Sequence, residues 1–426
     1  MLISLAEIHK KAKLVMIPSG FNSSSSTDNL YSVIPSNKYV DFDYASNTNC
    51  TRVNKDGLIE IASSNQPRLY YDSSNPQNTH LLLEPQRTNE LGYSEDFSNA
   101  YWTKTNINTS SSNFNLTTSP DGSINADKLV ADTTNGEHKI DRIETVTNGA
   151  TVALSVFVKK AEYEFCCLYE VNSNKGKFFD LSNGTIGGDF SGTPISSKIE
   201  SFVNGWFRIS ITTTVPSTSA RWVLYVCNTI SNTSFAGDNS KGIFVWGNQL
   251  EEGAFETSYI PATSTAGVTR TVDTCNSAGN STIINTSEGV LFAEIAALAN
   301  DSSLRDISVS NGSTDRILLS YLNSSNRIAM QFIDGGASQF TLQFDGATIT
   351  NFNKIAIKYK SSDYALWVNG SERDTNTSHT NALAGLDRID FDRGDSVGAA
   401  HFFGKCKQLM YFDTILTDAE LTTLTT

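Results

Sequence analysis

The chain has 426 residues, of which 39% are hydrophobic and 10% aromatic, so it is long enough for two or three packed domains. Its net charge of −13 argues against a protein that neutralises nucleic-acid phosphates or an anionic membrane surface. It contains no run of about 18 apolar residues, and residues 1–20 lack the continuous apolar centre of a secretory signal. We therefore expect a folded protein that binds no nucleic acid, does not insert into membranes and is not exported by general secretion.

The cysteines and histidines show no disulfide or metal-binding pattern. Six cysteines are too sparse for a disulfide scaffold, and none forms a Cys-x-x-Cys pair. The neighbours Cys166 and Cys167 point to opposite faces if they lie on a strand. The five histidines lack the spacing of zinc ligands. We expect free thiols and no cofactor, apart from a candidate calcium site considered below.

The first segment, 1–89, predicts one short helix followed by irregular β structure. Ser4 and Glu7 stand three apart at the start of a helical apolar pattern, as in a capping box. Across 30–87, short apolar runs are broken by Asn, Ser, Pro and Gly, and strands this short are marginal alone. We expect this segment to need a partner surface, and we therefore expect an oligomer.

The second segment, 90–263, is regular and predicts a jelly roll. Alternation within 151–159 places four apolar side chains on one face: Val152, Leu154, Val156 and Val158. Further strands are expected at 164–169, 206–213, 221–226 and 242–249. Short strands separated by turn residues at regular intervals are typical of sandwiches and jelly rolls.

The third segment, 264–426, predicts a second β-sandwich. Strands are expected at 289–297, 306–310, 316–321, 327–333, 339–344, 354–360, 364–368, 386–392 and 401–412. Asn369-Gly370 predicts a type I′ hairpin turn. Near the end, Thr417 and Glu420 form a capping box for a single-turn helix.

Several strings resemble structural proteins of tailed bacteriophages, of the head-fibre and tail-fibre kind. These strings are Pro67-Arg68-Leu69-Tyr70-Tyr71-Asp72, residues 81–89, 93–98 and 102–104, and the later residues 246–253 and 257–261. Residues 204–210 are similar to a strand of carbohydrate-binding-module jelly rolls. Residues 365–370 and 416–420 resemble a concanavalin A-like, laminin-G-like sandwich. Together the resemblances cover most of the chain from about residue 30.

The resemblance implies a phage fibre of the all-β class. Two consecutive antiparallel β-sandwiches, a jelly roll at 90–263 and a concanavalin A-like sandwich at 264–426, would follow an N-terminal β-rich attachment and oligomerisation region at 1–89. That region would dock on capsid or tail proteins. Such fibres are commonly homotrimers and sometimes dimers. The resemblance also implies a location in the virion, assembled in the host cytoplasm.

An enzyme is the first alternative, because concanavalin A-like folds include glycoside hydrolases. Hydrolysis needs two carboxylates on one face, and laminarinase-like relatives supply them from an alternating Glu-x-Asp-x-x-Glu strand. The nearest string here is Glu372-Arg373-Asp374, with Thr377 at the third position. It follows the Asn369-Gly370 turn, so we expect a loop there and no enzymatic activity.

Sugar binding requires an aromatic platform with polar groups beside it. Four of the five tryptophans, Trp206, Trp222, Trp246 and Trp367, alternate with apolar residues and are expected in the core. Arg221 and Tyr225 lie on the opposite strand face from Trp222. They are the candidate glycan contacts, with a solvated outer face as the alternative.

A cluster of aspartates near the C-terminus is the candidate calcium site. Alternation aims Asp390 and Asp392 to one face, and carboxylate oxygens are ligands for calcium. The alternative is a solvated strand end neutralised by Arg388 and Arg393. The adhesion tripeptide Arg393-Gly394-Asp395 is short enough to arise by chance.

The sequence therefore predicts a virion protein, a head or tail fibre or a decoration, that displays sandwiches for adhesion to host-surface or mucus glycans. One alternative is a glycan depolymerase of the tail. Another is a purely structural decoration of the capsid or neck. The residues leave the head or tail location open.

Overall fold

A computed structural model of the protein describes residues 4–18, 29–30, 41–46, 49–72 and 75–426. Within these ranges the chain forms 33 strands and two α-helices. Antiparallel sheets stack into two sandwiches, each with its own apolar core. The expected all-β class is therefore confirmed. No helix in these ranges is long and apolar enough to cross a membrane.

The first segment contains one helix and eight short strands. They are α1 (Leu5–His9), β1 (Leu14–Met16), β2 (Asn29–Leu30), β3 (Phe42–Ala45), β4 (Thr51–Val53), β5 (Ile59–Ile61), β6 (Leu69–Asp72), β7 (Asn75–Leu83) and β8 (Arg87–Asn89). The predicted cap of α1 is present, because the Ser4 side chain accepts a hydrogen bond from the Glu7 backbone N–H.

The middle sandwich consists of a six-stranded and a seven-stranded sheet. Its strands are β9 (Thr103–Thr105), β10 (Thr117–Thr118), β11 (Ile124–Val130), β12 (Asn135–Thr145), β13 (Thr151–Lys160), β14 (Phe165–Glu170), β15 (Lys175–Asp180), β16 (Thr185–Ser191), β17 (Ser196–Ser201), β18 (Phe207–Thr214), β19 (Ser219–Cys227), β20 (Ser234–Ala236) and β21 (Gly242–Glu252). The six-stranded order is β10-β11-β21-β13-β18-β17. The seven-stranded order is β16-β15-β14-β19-β12-β20, with β9 beside β12.

The alternation predicted for this sandwich is confirmed. The four apolar side chains of β13 all lie in its core: Val152, Leu154, Val156 and Val158. Trp222 and Leu224 of β19 lie in the same core. Cys166 is also in the core whereas Cys167 lies on the outer face of the sheet, so the two neighbours do point in opposite directions. All six cysteines are free and buried, as predicted.

The C-terminal sandwich has an eight-stranded and a five-stranded sheet. Its own elements are β22 (Val268–Arg270), β23 (Thr274–Asn276), β24 (Glu288–Ala297), β25 (Arg305–Ser310), β26 (Arg316–Tyr321), β27 (Arg327–Asp334), β28 (Ala337–Asp345), β29 (Asn353–Lys360), β30 (Tyr364–Val368), β31 (Ser371–Asn376), β32 (Arg388–Asp390), β33 (Gly404–Phe412) and α2 (Asp418–Thr425). The larger sheet runs β31-β30-β29-β24-β33-β7-β6, and β1 also pairs with β33. The smaller runs β28-β27-β26-β25-β32.

Strands of the first segment complete the larger sheet of this sandwich. β7 pairs with 404–406 at one end of β33, and β1 pairs with 409–411 at the other. Leu14, Leu81 and Leu83 lie in the C-terminal core. These strands find their partner surface inside the chain, so the reason given for an oligomer does not apply to them. The attachment role of 1–89 stays a prediction.

Both helices cover the outer face of the eight-stranded sheet. Ile8 of α1 and Leu421 and Leu424 of α2 pack there around Trp367. The capping box of α2 is present, since Thr417 accepts from Glu420 N–H and Glu420 accepts from Thr417 N–H. The helix has eight residues rather than the single turn expected. Leu421 and Leu424 lie beyond the first turn, and both are buried against the sheet.

Three strand predictions differ from the structure at their ends or in type. The strand expected at 386–392 is only β32, and the one expected at 401–412 begins at Gly404. The chain leaves β32 because the Asp392 side chain accepts from the Gly394 backbone N–H and closes a turn. The loop expected around Glu372 is the strand β31. It pairs with β30 across the predicted Asn369-Gly370 turn, where both residues have positive φ, 50° and 80°.

A buried ionic network joins the first segment to both sandwiches. Arg68 precedes β6 and contacts Glu84, which follows β7, at 2.7 Å, and it also contacts Asp273 before β23. Arg270 at the end of β22 contacts the same Glu84. Ser258, on the chain leaving the middle sandwich, donates to Glu84 at 2.7 Å. All four charged side chains are buried.

The network is stable only as a set, because each charge is removed from water. Burial alone raises the pKa of Glu84, but Arg270, Arg68 and the hydrogen bonds from Ser258 outweigh it and hold the pKa at about 2. Glu84 is therefore ionised in the folded protein. Removing Arg68 would leave the buried Asp273 without the arginine that contacts it and would leave Glu84 with one cation instead of two.

We expect Arg68→Met to destabilise the whole chain. The substitution leaves Asp273 and Glu84 buried with one cation fewer, which costs about 3–5 kcal/mol. The measurement is the free energy of unfolding in urea. The control is Arg327→Met, which removes an exposed ion pair with Asp345 and should leave the midpoint almost unchanged. A loss for Arg68→Met no larger than for the control would contradict the role of the network.

Candidate functional site

The outer face of the seven-stranded sheet carries the two residues predicted to contact glycans. On β19, Trp222 and Leu224 point into the core, so Arg221 and Tyr225 point outward. The predicted side of the strand is therefore correct. Whether the two residues contact a glycan stays a prediction, and their surroundings decide what they can do.

Tyr225 belongs to a cluster of aromatic rings on this outer face, which we call the aromatic face. Its rings come from four strands that pair side by side: Phe165 and Tyr169 of β14, Phe178 of β15, Phe190 of β16 and Tyr225 of β19. Ring centroids of Phe190 lie 5.0 Å from Tyr169, 5.6 Å from Phe178 and 5.4 Å from Tyr225. These are favourable edge-to-face or tilted contacts.

The rings differ in how far they reach the solvent. Phe165, Tyr169 and Phe190 are half-buried, whereas Tyr225 is only 4% exposed beneath them. Burial, followed by the nearby Glu137, raises the pKa of Tyr225, so its hydroxyl keeps its proton. That hydroxyl has no hydrogen-bond partner among the described residues. Tyr225 therefore offers a hydroxyl rather than an open stacking surface, and Tyr169 and Phe190 offer the open rings.

Two ion pairs border the aromatic face on the side of β12 and β19. Arg221 contacts Asp141 at 3.0 Å, and Lys139 contacts Glu137 at 2.6 Å. The Lys139 ammonium also lies 5.1 Å from the centre of the Tyr225 ring. The hydrogen bond to Asp141 raises the pKa of Arg221 and keeps it charged. The aromatic face is therefore an apolar surface with positively and negatively charged hydrogen-bonding groups at its edge.

The sequence missed Tyr169 and Phe190 as site residues. Each is a lone aromatic in its own strand, and only the pairing of β14, β15, β16 and β19 brings them to Tyr225. The alternation of β14 carried one usable signal, since Cys167 and Tyr169 share the face opposite the core. The neighbours of that face are set by contacts across the sheet.

Asp390 and Asp392, the calcium candidates, are buried and held by hydrogen bonds from the protein. Asp390 accepts from Ser277 N–H at 2.8 Å and from the Ser310 hydroxyl at 3.2 Å. Asp392 accepts from the Asn276 amide and from Gly394 N–H. No group of three or more His, Cys, Asp or Glu side chains with metal-binding geometry occurs in the described ranges. The alternative of a solvated strand end is wrong, because both side chains are buried, and the calcium site stays a prediction.

The adhesion tripeptide Arg393-Gly394-Asp395 is folded against the five-stranded sheet. Arg393 contacts the buried Asp306 at 3.1 Å. Asp395 accepts from the backbone N–H groups of Val397 and Gly398. Arg393 therefore attaches this loop to the sheet, and Asp395 stabilises the backbone turn that follows it.

The carboxylates weighed for hydrolysis lie at the edge of the larger sheet. Glu372 is exposed on β31, and Asp374 accepts from Gln343 N–H at 2.9 Å.

All five tryptophans are buried, which confirms the core positions predicted for Trp206, Trp222, Trp246 and Trp367.

No family model and no curated protein matches the chain. The CBM40 module of the Ruminococcus gnavus IT-sialidase, solved with α2,3-sialyllactose, is 18% identical over 34% of this chain and 86% of its own length, with a TM-score of 0.31. A leech intramolecular trans-sialidase is 17% identical over 33% of this chain and 23% of its own length, with a TM-score of 0.29.

A third similar structure matches a larger part of this chain. Domains LG4-5 of the mouse laminin α1 chain are 11% identical and cover 66% of this chain and 88% of their own length, with a TM-score of 0.25. At this level of similarity, none of these structures says what this chain binds.

We expect Asp390→Asn to change how the stability of the protein depends on pH. Burial raises the pKa of Asp390 to about 6, while the Ser277 N–H and Ser310 partly oppose it. The folded state thus binds the proton more tightly than the unfolded chain, so the contribution of Asp390 to stability falls as the pH rises from about 4 to about 6. The stability lost in the variant should therefore be smaller at pH 7 than at pH 4, by roughly 2–3 kcal/mol.

Urea unfolding of both proteins at the two pH values measures this difference. An identical loss of stability at pH 4 and pH 7 would show that Asp390 does not titrate in this range.

Proposed function

We propose that the chain is a non-enzymatic structural protein of a tailed-phage particle, a fibre or decoration, that displays two β-sandwiches for adhesion to host-surface or mucus glycans. The aromatic face of the middle sandwich is the glycan-binding surface in this proposal. One observation carries it: Phe165, Tyr169 and Phe190 lie half-exposed and clustered on an outer sheet face, within a border of paired charges. Clustered exposed apolar rings on a soluble protein mark an interaction site.

The chemistry of the surface suits a sugar. The C–H faces of a pyranose ring can pack on aromatic rings, and the hydroxyls need donors and acceptors at the border. Arg221 and Lys139 donate, while Asp141 and Glu137 accept. Such a contact is weak for one copy, and several copies on one particle would add avidity through effective concentration.

The virion part of the proposal rests on the resemblance of the sequence strings. Residues 1–89 would attach the chain to capsid or tail proteins, with a homotrimer favoured over a dimer. The particle, assembled in the host cytoplasm, would be the location of the protein. Immunogold labelling of intact particles with an antibody against 264–426 tests this part, and particles without label would contradict it.

Glycan binding itself is tested with the purified full chain on an array of host-surface and mucin glycans. We expect Phe190→Ala to weaken binding at least tenfold, because the ring contacts three other aromatic side chains of the face. The control Ile124→Ala removes an exposed apolar side chain, 70% exposed, from the other sheet of the same sandwich and should bind normally. Tyr169→Phe keeps the ring and should also bind.

Other outcomes would identify the alternatives. Unchanged binding by Phe190→Ala would move the site away from the aromatic face. Release of new reducing ends from the bound glycan would favour the depolymerase. Labelled particles with no glycan bound by the protein would favour a purely structural decoration.

A further inference from the structure

A second candidate site lies in a cleft between the two sandwiches. Its volume is about 530 Å³, within the range of small-molecule sites. One wall comes from β17 and β18 of the middle sandwich, and the other from β6, β7 and β33 of the eight-stranded sheet. The lining residues used below are Tyr70, His80, Lys198, Glu200, Arg208 and Lys405.

Four of these side chains have polar atoms without a partner among the described residues. They are both ring nitrogens of His80, which are buried, and three groups on side chains that reach solvent: the Tyr70 hydroxyl, the Lys405 ammonium and the carboxylate of the exposed Glu200. His80 is the most informative, because it is 4% exposed and neither nitrogen is hydrogen-bonded. Buried polar groups in folded proteins nearly always have a partner, so a buried imidazole with two empty positions points to a ligand or ordered water in the cleft.

The aromatic side chains that hold His80 fix its orientation. Its ring stacks on Tyr70 with centroids 5.4 Å apart and an interplanar angle of 25°. Phe352 lies on another side at 5.7 Å. Burial, then Lys405 and Lys407, lower the pKa of His80 to about 3, so the ring is neutral near pH 7. A neutral imidazole offers one donor and one acceptor.

The other charged groups around the cleft have partners, although Arg208 Nε and Glu256 Oε2 are buried without one in the part of the chain that the structure describes. Lys198 contacts Glu256 at 3.0 Å. Arg208 donates to the Thr257 carbonyl at 2.7 Å and to the Ser155 hydroxyl at 3.0 Å. Glu84 belongs to the ionic network. Among the described residues, Glu200 and Lys405 make no ion pair. Three cationic side chains (Lys198, Arg208 and Lys405) and three carboxylates (Glu84, Glu200 and Glu256) line the cleft, so it offers no excess of charge to a ligand.

This balance decides the class of ligand. An anion would be attracted by Lys405 but repelled by Glu200 and Glu256. A cation would be attracted by the two glutamates but repelled by Lys405. An apolar ligand would leave four polar side chains desolvated without partners. A hydroxyl group both donates and accepts, so a polyhydroxylated neutral molecule can satisfy the Tyr70 hydroxyl, the neutral His80, the Glu200 carboxylate and the Lys405 ammonium together.

We propose that the cleft between the sandwiches binds a neutral mono- or disaccharide. The site is separate from the aromatic face, which lies on the other sheet of the middle sandwich. A ligand there contacts β17 on one side and β6, β7 and β33 on the other, and therefore stabilises the junction between the sandwiches by binding the folded chain alone.

The test is a panel of neutral mono- and disaccharides, with sialic acid and glucuronic acid as charged probes, offered to the full chain at millimolar concentration. Binding is followed by saturation-transfer NMR and by the unfolding temperature. We expect at least one neutral sugar to bind and to raise the unfolding temperature, and the acids to bind at least tenfold more weakly.

Variants locate the binding. Tyr70→Phe removes only a hydroxyl and Lys405→Met only an ammonium, so both should fold, as an unchanged unfolding temperature without sugar would show. Each should weaken sugar binding at least fivefold. Lys360→Met removes an exposed lysine paired with Glu288 on the same eight-stranded sheet and should have no effect.

Each remaining outcome has one meaning. No binding of any neutral sugar, or preference for the acids, overturns the proposal. Binding that is lost in Phe190→Ala and unchanged in Tyr70→Phe overturns the cleft site and leaves the aromatic face intact. Binding that is lost in Tyr70→Phe and unchanged in Phe190→Ala supports the cleft site. Cleavage of a disaccharide that stops in Glu200→Gln would replace binding by hydrolysis and overturn the non-enzymatic function.

Discussion

The burial of four charges at the junction of three chain segments is the constraint on which the rest of the structure depends. Arg68, Glu84, Arg270 and Asp273 lie together in the interior, where each is tolerated only because the others are in place. The partners are 16, 186 and 205 residues apart in the chain. The network therefore cannot form until 1–89 and the start of the C-terminal sandwich have met. Arg68 lies just before β6 and Glu84 just after β7, and these two strands form one wall of the cleft together with β33, which pairs with β7.

The same network explains the structural role of several strings that the sequence analysis singled out. Arg68 and Glu84 stand in two of those strings, and Ser258 stands in a third. The adjacent Asn89 is also buried, and donates to the carbonyls of Asn248 and Ile260. What these strings encode in this chain is the junction between segments. Tyr70 of the first string, Leu82 of the second and Ser258 of the third also line the cleft between the sandwiches.

The sequence predicts the parts of the fold that interactions between neighbouring residues determine. It does not predict the parts that depend on contacts between residues far apart in the chain. The strand β13 and the turn at Asn369-Gly370 are determined by alternation and by local backbone preference, so neighbouring residues suffice to predict them. The length of α2 depends on Leu421 and Leu424 packing on a distant sheet, and a single turn was expected. The side of β19 that carries Tyr225 was correct, but its depth was not predictable because Phe190 covers it from another strand.

The two candidate sites differ in what holds them, and this difference bears on how they would work. The aromatic face belongs to one sheet, and its rings are positioned by strand pairing that persists as long as the middle sandwich is folded. The cleft has walls from both sandwiches, so its shape depends on the ionic network behind Glu84 and Ser258. A rigid junction lowers the ordering that a ligand must impose, and a site with little to order binds more tightly for the same contacts. The unpartnered His80 is tolerable in such a junction because the network and the core strands β7 and β33 fix its position independently of the ligand. Loss of the network would thus abolish the cleft before it affected the aromatic face.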